Sequence, residues 1–155
     1  MAIRNIVNKS ESILYKKCRV VEKFDDKLSV LVQDMKETLI DSQGVGLAAP
    51  QVGVLKRVML VIIEEKIWVF VNPEIIWQSE EQQFDVEGCL SCPDEWGITQ
   101  RPMTVKVKAF NEKGEEFEVE GSELIARALC HEIDHLDGIL FLDRMVEEYH
   151  PEFEE

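Results

Sequence analysis

Apolar residues recur at three- and four-residue spacing through FDDKLSVLVQDMKETLIDSQG, at Leu28, Leu31, Val32, Met35 and Leu39. That period predicts an amphipathic helix, with Asp25 or Asp26 capping its start and an end near Ser42–Gly44. The runs RVMLVII and IWVFVNP read as two strands, and EIIWQSE as a third. MTVKVKAF alternates polar and apolar positions, NEKG supplies a turn, and EEFEVEG returns. That is the pattern of a β-hairpin. The helical period resumes over SELIARALCHEIDHLDG, with Ser122 as expected N-cap and Gly138 as terminator. Helix, strands, hairpin and helix, without strict βαβ alternation, predict an α+β fold with antiparallel sheets packed around the second helix.

Composition narrows this picture. The chain has 155 residues, 45% of them hydrophobic, with no internal repeat, low-complexity linker or composition break. One domain over residues 1–147 is expected, followed by an acidic tail at 148–155 that frays. Formal net charge is −14, and the 17 basic residues are scattered among 31 acidic ones. A nucleic-acid surface needs cations gathered on one face, so direct nucleic-acid binding is not expected. The longest apolar run, VMLVII, is far too short to span a membrane. The N-terminus has no signal-peptide pattern, which makes the cytoplasm the expected compartment. An organellar protein without its transit peptide would read the same way.

The second helix carries the chemistry. Within HEIDH, His131 and His135 lie one turn apart on the same face, where both can reach one metal ion. Glu132 points about 100° round the helix, where it can serve a water that the ion acidifies. Two histidines and a glutamate can also be ordinary polar surface. Against that, Leu124, Ala128, His131 and His135 form one stripe that should face the interior. A catalytic site of this kind usually has a third protein ligand. Six residues after His135 stands Phe141, not a third histidine, and Glu147 and Glu148 open the acidic stretch EEYHPEFEE, which is expected to fray. A thiolate from EGCLSCP, which holds Cys89 and Cys92, is the better candidate.

Three segments in this order, GVGLAAPQ (Gly44–Gln51), EGCLSCP (Glu87–Pro93) and HEIDHLDG (His131–Gly138), resemble the peptide deformylases. The resemblance runs from the first helix to about Met145. It implies a metal-dependent hydrolase that removes the formyl group from the N-terminal methionine of newly made bacterial proteins. It also implies Cys89, His131 and His135 as ligands of one divalent ion, Fe²⁺ physiologically, with Zn²⁺, Ni²⁺ or Co²⁺ as substitutes. Glu132 would be the general acid/base, while the Gln51 amide and the Leu90 N–H would hold the developing oxyanion. Gly44, Val45, Gly46, Gly88, Leu124, Arg127 and Ala128 are the expected substrate-binding residues, with the Arg127 head at the pocket mouth. Glu87 or Asp134 would support a ligating histidine, unless Glu87 pairs with Arg101. The implied partners are N-formylmethionyl nascent peptides. Transient ribosome proximity fits that substrate, although no basic docking helix is present.

The chain departs from the family pattern in two places. Cys92 stands where an aliphatic residue is usual, which suits a small buried hydrophobe, and Trp96 stands about where many members carry arginine. Three rival readings make different demands. An HExxH metallopeptidase needs a Glu or His as third ligand. A structural zinc domain needs Cys89, Cys92, His131 and His135 in closed four-coordination. A redox C-x-x-C is expected in a βαβ setting.

Overall fold

The computed structural model describes residues 2–149. Helix α1 spans Asp26–Ser42, and the Asp25 carboxylate accepts a hydrogen bond from the Leu28 N–H at 3.1 Å. This satisfies one of the N–H groups that a helix start leaves without an internal partner. Seven strands and a helix then follow in order: β1 (Gly46–Ala48), β2 (Val58–Ile63), β3 (Lys66–Gln78), β4 (Gln82–Cys89), β5 (Cys92–Pro102), β6 (Thr104–Phe110), β7 (Glu116–Ser122) and α2 (Leu124–Leu136). A last strand, β8 (Met145–Glu148), completes the described chain.

One sheet runs β1-β2-β3-β6-β7 and the other β4-β5-β8, with every pairing antiparallel. The unbroken apolar run of β2 follows from its place between two helices. Val58 and Leu60, with Val69 and Val71 of β3, pack with Leu28, Val32, Met35 and Leu39 of α1. Met59 and Val61, with Phe70, pack on the other side with Ala126, Leu129, Ile133 and Leu136 of α2. Each such side chain, fully buried, contributes about 1.5–3 kcal/mol. That exceeds the ~1 kcal/mol span of intrinsic strand preference, so packing on both faces fixes this strand. The α+β single-domain expectation is met. No helix among the described residues is long and apolar enough to cross a membrane.

Three local expectations are corrected. The segment EIIWQSE is not a separate strand, because β3 continues through Asn72 and Pro73 to Gln78. Its ladder with β6 shifts register between Val71 and Glu74, and a bulge tolerates a proline that cannot donate to the ladder. Ser122 does not cap α2, because it ends β7 opposite Thr104, their hydroxyls 2.8 Å apart. Glu123 occupies the cap position with no side-chain bond. Glu147 and Glu148 do not fray: Glu148 pairs with Gly97 and Glu147 with Ile98 of β5. The rest of the acidic tail, from residue 150, lies outside the described residues.

Candidate active site

Helix α2 presents His131 and His135 on one face, with ring centroids 5.0 Å apart. The end of β4 brings Cys89 to them, its Sγ 3.2 Å from His135 Nε2. One ligand atom from each of Cys89, His131 and His135 lies within 4.8 Å of the other two. Glu87 sits 3.0 Å from His131 Nδ1. Burial would push the Glu87 carboxyl up, but the hydrogen bonds from His131 and Arg101 outweigh it and hold it at about 2. An ionised carboxylate only accepts, so Nδ1 donates and Nε2 of His131 is left for a ligand. Burial drives the His135 pKa well below its ordinary value, keeping that ring neutral. The Cys89 thiol is held high by its hydrogen bond with Cys92 and by burial, so a thiolate there requires a cation. Two imidazole nitrogens and one such sulfur form a donor set suited to a divalent transition metal.

Behind the histidines lies a buried ion network. Arg101 donates to both Glu87 oxygens, at 2.9 and 3.0 Å, and to Asp134 Oδ2 at 2.7 Å. Thr99 also donates to Glu87, and Arg144 Nε lies 3.2 Å from Asp134. Glu87 therefore fills both expected roles: it bonds His131 and it pairs with Arg101. Asp134 bonds Arg101 and Arg144 instead of a histidine. Breaking a buried pair typically costs about 3–5 kcal/mol, because the remaining charge stays desolvated. Arg101→Met is accordingly expected to destabilise the fold by about that amount and to weaken metal affinity about 10–100-fold. Thermal unfolding and metal titration would check it; an unchanged melting temperature would show that the network contributes nothing.

A cavity of about 460 Å³ opens on this cluster, with Glu132, His131 and Cys89 in its wall. Glu132 Oε1 is buried and has no hydrogen-bond partner among the described residues, and burial pushes the carboxyl up to about 7. A Cβ at Gly46 would stand 2.7 Å from Glu132 Oε2, so the close approach of β1 to α2 requires glycine there. Gln51 Oε1 accepts from the Ala48 N–H at 3.0 Å, which fixes the amide. Its Nε2 then donates to Ser91 Oγ at 3.2 Å and lies 3.5 Å from Cys89 Sγ. Leu90 lies in the turn that joins Cys89 to Cys92 and lines the cavity with Gly44, Val45, Gly88, Leu124 and Ala128.

One substrate-site expectation gains detail and another changes. Arg127 lines the cavity, and its head is held there: Nη1 donates to Gln83 Oε1 at 2.9 Å and to Asp85 Oδ2 at 3.0 Å, both on β4. Leu124 is not interior; it is 53% exposed at the cavity opening. Ser91, Thr99 and the contacts of Asp134 with Arg101 and Arg144 escaped the sequence reading, in which Arg101 stood only as a possible partner of Glu87. Their one signal was Thr99 and Arg101 alternating along a polar strand.

The rival readings lose their footing on this geometry. Cys92 is outside the ligand cluster and is buried with Leu14, Leu140 and Phe141, as expected of a small hydrophobe. That leaves a closed four-ligand zinc site one member short. The C-x-x-C spans a turn between antiparallel strands, not a βαβ unit.

A family model described as polypeptide deformylase matches residues 3–150. A peptide deformylase of Clostridium botulinum is 56% identical over 144 residues, covering 93% of this chain and 97% of that protein. One of Alkaliphilus metalliredigens is 51% identical, covering 96% of this chain and 100% of its own length. Among solved structures, peptide deformylase of Thermotoga maritima superposes with a TM-score of 0.91 at 36% identity, covering 94% of this chain and 99% of that one. A Met-Ala-Ser-bound class I type b peptide deformylase of Acinetobacter baumannii gives 0.89 at 37% identity, covering 92% and 98%. Sequence match along nearly the whole length, shared fold and a Cys/His/His cluster agree: the chain belongs to the peptide deformylase family, metal-dependent enzymes that remove the N-formyl group from N-terminal methionine.

Proposed function

We propose that Cys89, His131 and His135 hold one divalent cation, Fe²⁺ in the physiological enzyme, and that Glu132 is the general acid/base of deformylation. The observation that carries this is the convergence of three ligand atoms within 4.8 Å beside a buried, unpartnered Glu132 oxygen in one cavity. When bound, the cation supplies the charge that acidifies water and polarises the formyl carbonyl. Sulfur with two imidazoles suits Fe²⁺, Zn²⁺, Ni²⁺ and Co²⁺ alike, so availability selects among them.

The chain's own groups do the rest. Strand β1 pairs with β2 on one side only, and its other edge is available to an extended peptide. The Gly44–Val45–Gly46 backbone guides that peptide, and the methionine side chain enters between Val45 and the Leu124–Ala128 face of α2. Gly88 and the Arg127 stem complete the wall. The Gln51 amide and the Leu90 N–H stabilise the charge that develops on the formyl oxygen. Glu132 takes a proton from the attacking water and returns it to the amine as the C–N bond breaks, releasing formate. Newly synthesised N-formylmethionyl chains are the substrates, handled by a domain that includes β8.

Metal analysis combined with formate release from formyl-Met-Ala-Ser tests this reading. Chelation should abolish release, and added Fe²⁺, Ni²⁺ or Zn²⁺ should restore it. Release that survives complete metal removal, or cleavage at internal peptide bonds with formyl-Met untouched, would overturn it.

A further inference from the structure

Cys89 and Cys92 are direct partners in the β4–β5 ladder and close the turn made by Leu90 and Ser91. Facing residues of an antiparallel pair carry their side chains on the same face, with Cα atoms about 4.5 or 5.5 Å apart. A disulfide usually spans a Cα separation of about 4.4–6.8 Å, so this pair can be bridged with little movement of the backbone. The two sulfurs already meet, joined by a hydrogen bond. Cys89 therefore has two sets of neighbours. On one side are His135 Nε2 at 3.2 Å and Gln51 Nε2 at 3.5 Å, and on the other is Cys92.

The four thiols differ in what can reach them. Cys89 is half-buried and borders the cavity, so a small oxidant has access to it. Cys92 is 1% exposed, which shields it from solution but not from the Cys89 sulfur. Cys18 and Cys130 are buried in the core that α2 shares with β2, outside the cavity wall. An accessible cysteine beside a second thiol is the arrangement of a redox-sensitive pair. The second thiol traps the sulfenic acid before it passes to acids that reductants do not reverse. An aliphatic residue at position 92 could not do this.

We propose that Cys89 and Cys92 form a reversible oxidation site, in which a hydroperoxide links them as a disulfide and thereby dismantles the cation site. The Cys89 thiolate attacks one peroxide oxygen, the O–O bond breaks and hydroxide leaves, which gives Cys89 sulfenic acid. The Cys92 sulfur then attacks the Cys89 sulfur, and the displaced hydroxyl departs with the Cys92 proton as water. Two electrons pass from the sulfurs to the peroxide, and a dithiol reductant returns them. A disulfide sulfur is no thiolate, so oxidation leaves His131 and His135 one ligand short of a catalytic set. This rests on the assignment of Cys89 as a ligand.

The test treats the Zn²⁺-loaded protein and its Cys92→Val variant with hydrogen peroxide, because zinc itself undergoes no redox change. Thiol titration, intact mass, peptide mapping and released zinc are read before and after dithiothreitol. In the unmodified protein the four free thiols should fall to two, the mass should drop by two hydrogens, and one zinc should leave per disulfide. The bond should map to Cys89–Cys92, and dithiothreitol should restore the thiols and zinc binding. Cys92→Val should instead carry Cys89 on to the sulfinic or sulfonic acid, which dithiothreitol leaves unchanged. Those acids in the unmodified protein with the Cys92 thiol intact, a bond that maps elsewhere, or equally complete reversal in Cys92→Val would overturn the proposal. A Cys89–Cys92 disulfide formed with zinc still bound would instead overturn the ligand assignment on which it rests.

Discussion

Glu132→Gln is expected to keep the divalent cation bound and to lower kcat for formate release by about two to four orders of magnitude, the usual contribution of a positioned general acid/base. The change is nearly isosteric, and Glu132 is not among the three clustered ligand residues. What disappears is a carboxyl that burial has brought up to about 7, where it can take and give a proton near neutrality. An amide in that place can do neither. A companion variant separates position from charge. In Gly46→Ala the new methyl would stand 2.7 Å from Oε2 and 3.0 Å from Cγ of Glu132, forcing the side chain to move while leaving its carboxyl intact. Misplacement by about an ångström costs on the order of a hundredfold, so this variant should fall between the unmodified protein and Glu132→Gln. Elemental analysis beside the kinetics decides the case. Glu132→Gln with full metal and activity within tenfold of the unmodified enzyme would remove Glu132 from its role.

The parts of this chain that could be read from sequence are those where burial and periodicity coincide. Helix α1, the β6–β7 hairpin and most of α2 each place apolar residues on one face at the period of their element. Strands β4 and β5 could not be read this way because, Cys92 apart, the buried side chains they carry are polar. Gln83, Glu87, Thr99 and Arg101 point inward, where they form the ion network behind the site and contacts beside it. A pattern rule that seeks hydrophobic alternation finds polar alternation there and reports no strand. The same inversion hid the support of His131: its partner was narrowed to two carboxylates, but only the fold showed Arg101 linking both. The ligand set was more legible, because helical spacing alone joins His131 to His135. Cys89 is distant in sequence, and no local period could connect it to them; the family resemblance did. The resemblance singles out Trp96 as a departure, but its place against Gly88 depends on a bulge whose length is visible only in the ladder.

The two cysteines of EGCLSCP should respond oppositely to substitution. Cys89→Ala removes a sulfur that lies 3.2 Å from His135 Nε2 and belongs to the ligand cluster. Two imidazoles remain, one ligand short of the three that catalytic sites of this type require. Metal affinity should fall by more than the about 10–100-fold that losing an outer partner costs, and deformylation should fall with it. Cys92→Val instead replaces one small buried hydrophobe by another, within the Leu14, Leu140 and Phe141 cluster. Such near-isosteric changes usually cost less than about 1.5 kcal/mol, so metal content and activity should stay close to those of the unmodified protein. The informative quantity is the difference between the two variants in bound metal per chain, measured after identical dialysis. A four-ligand structural zinc site predicts matching metal loss and matching destabilisation, because either cysteine would then be a ligand. Asymmetry would assign the cation to Cys89 and leave Cys92 to packing, while equal losses in both variants would return the pair to a structural role.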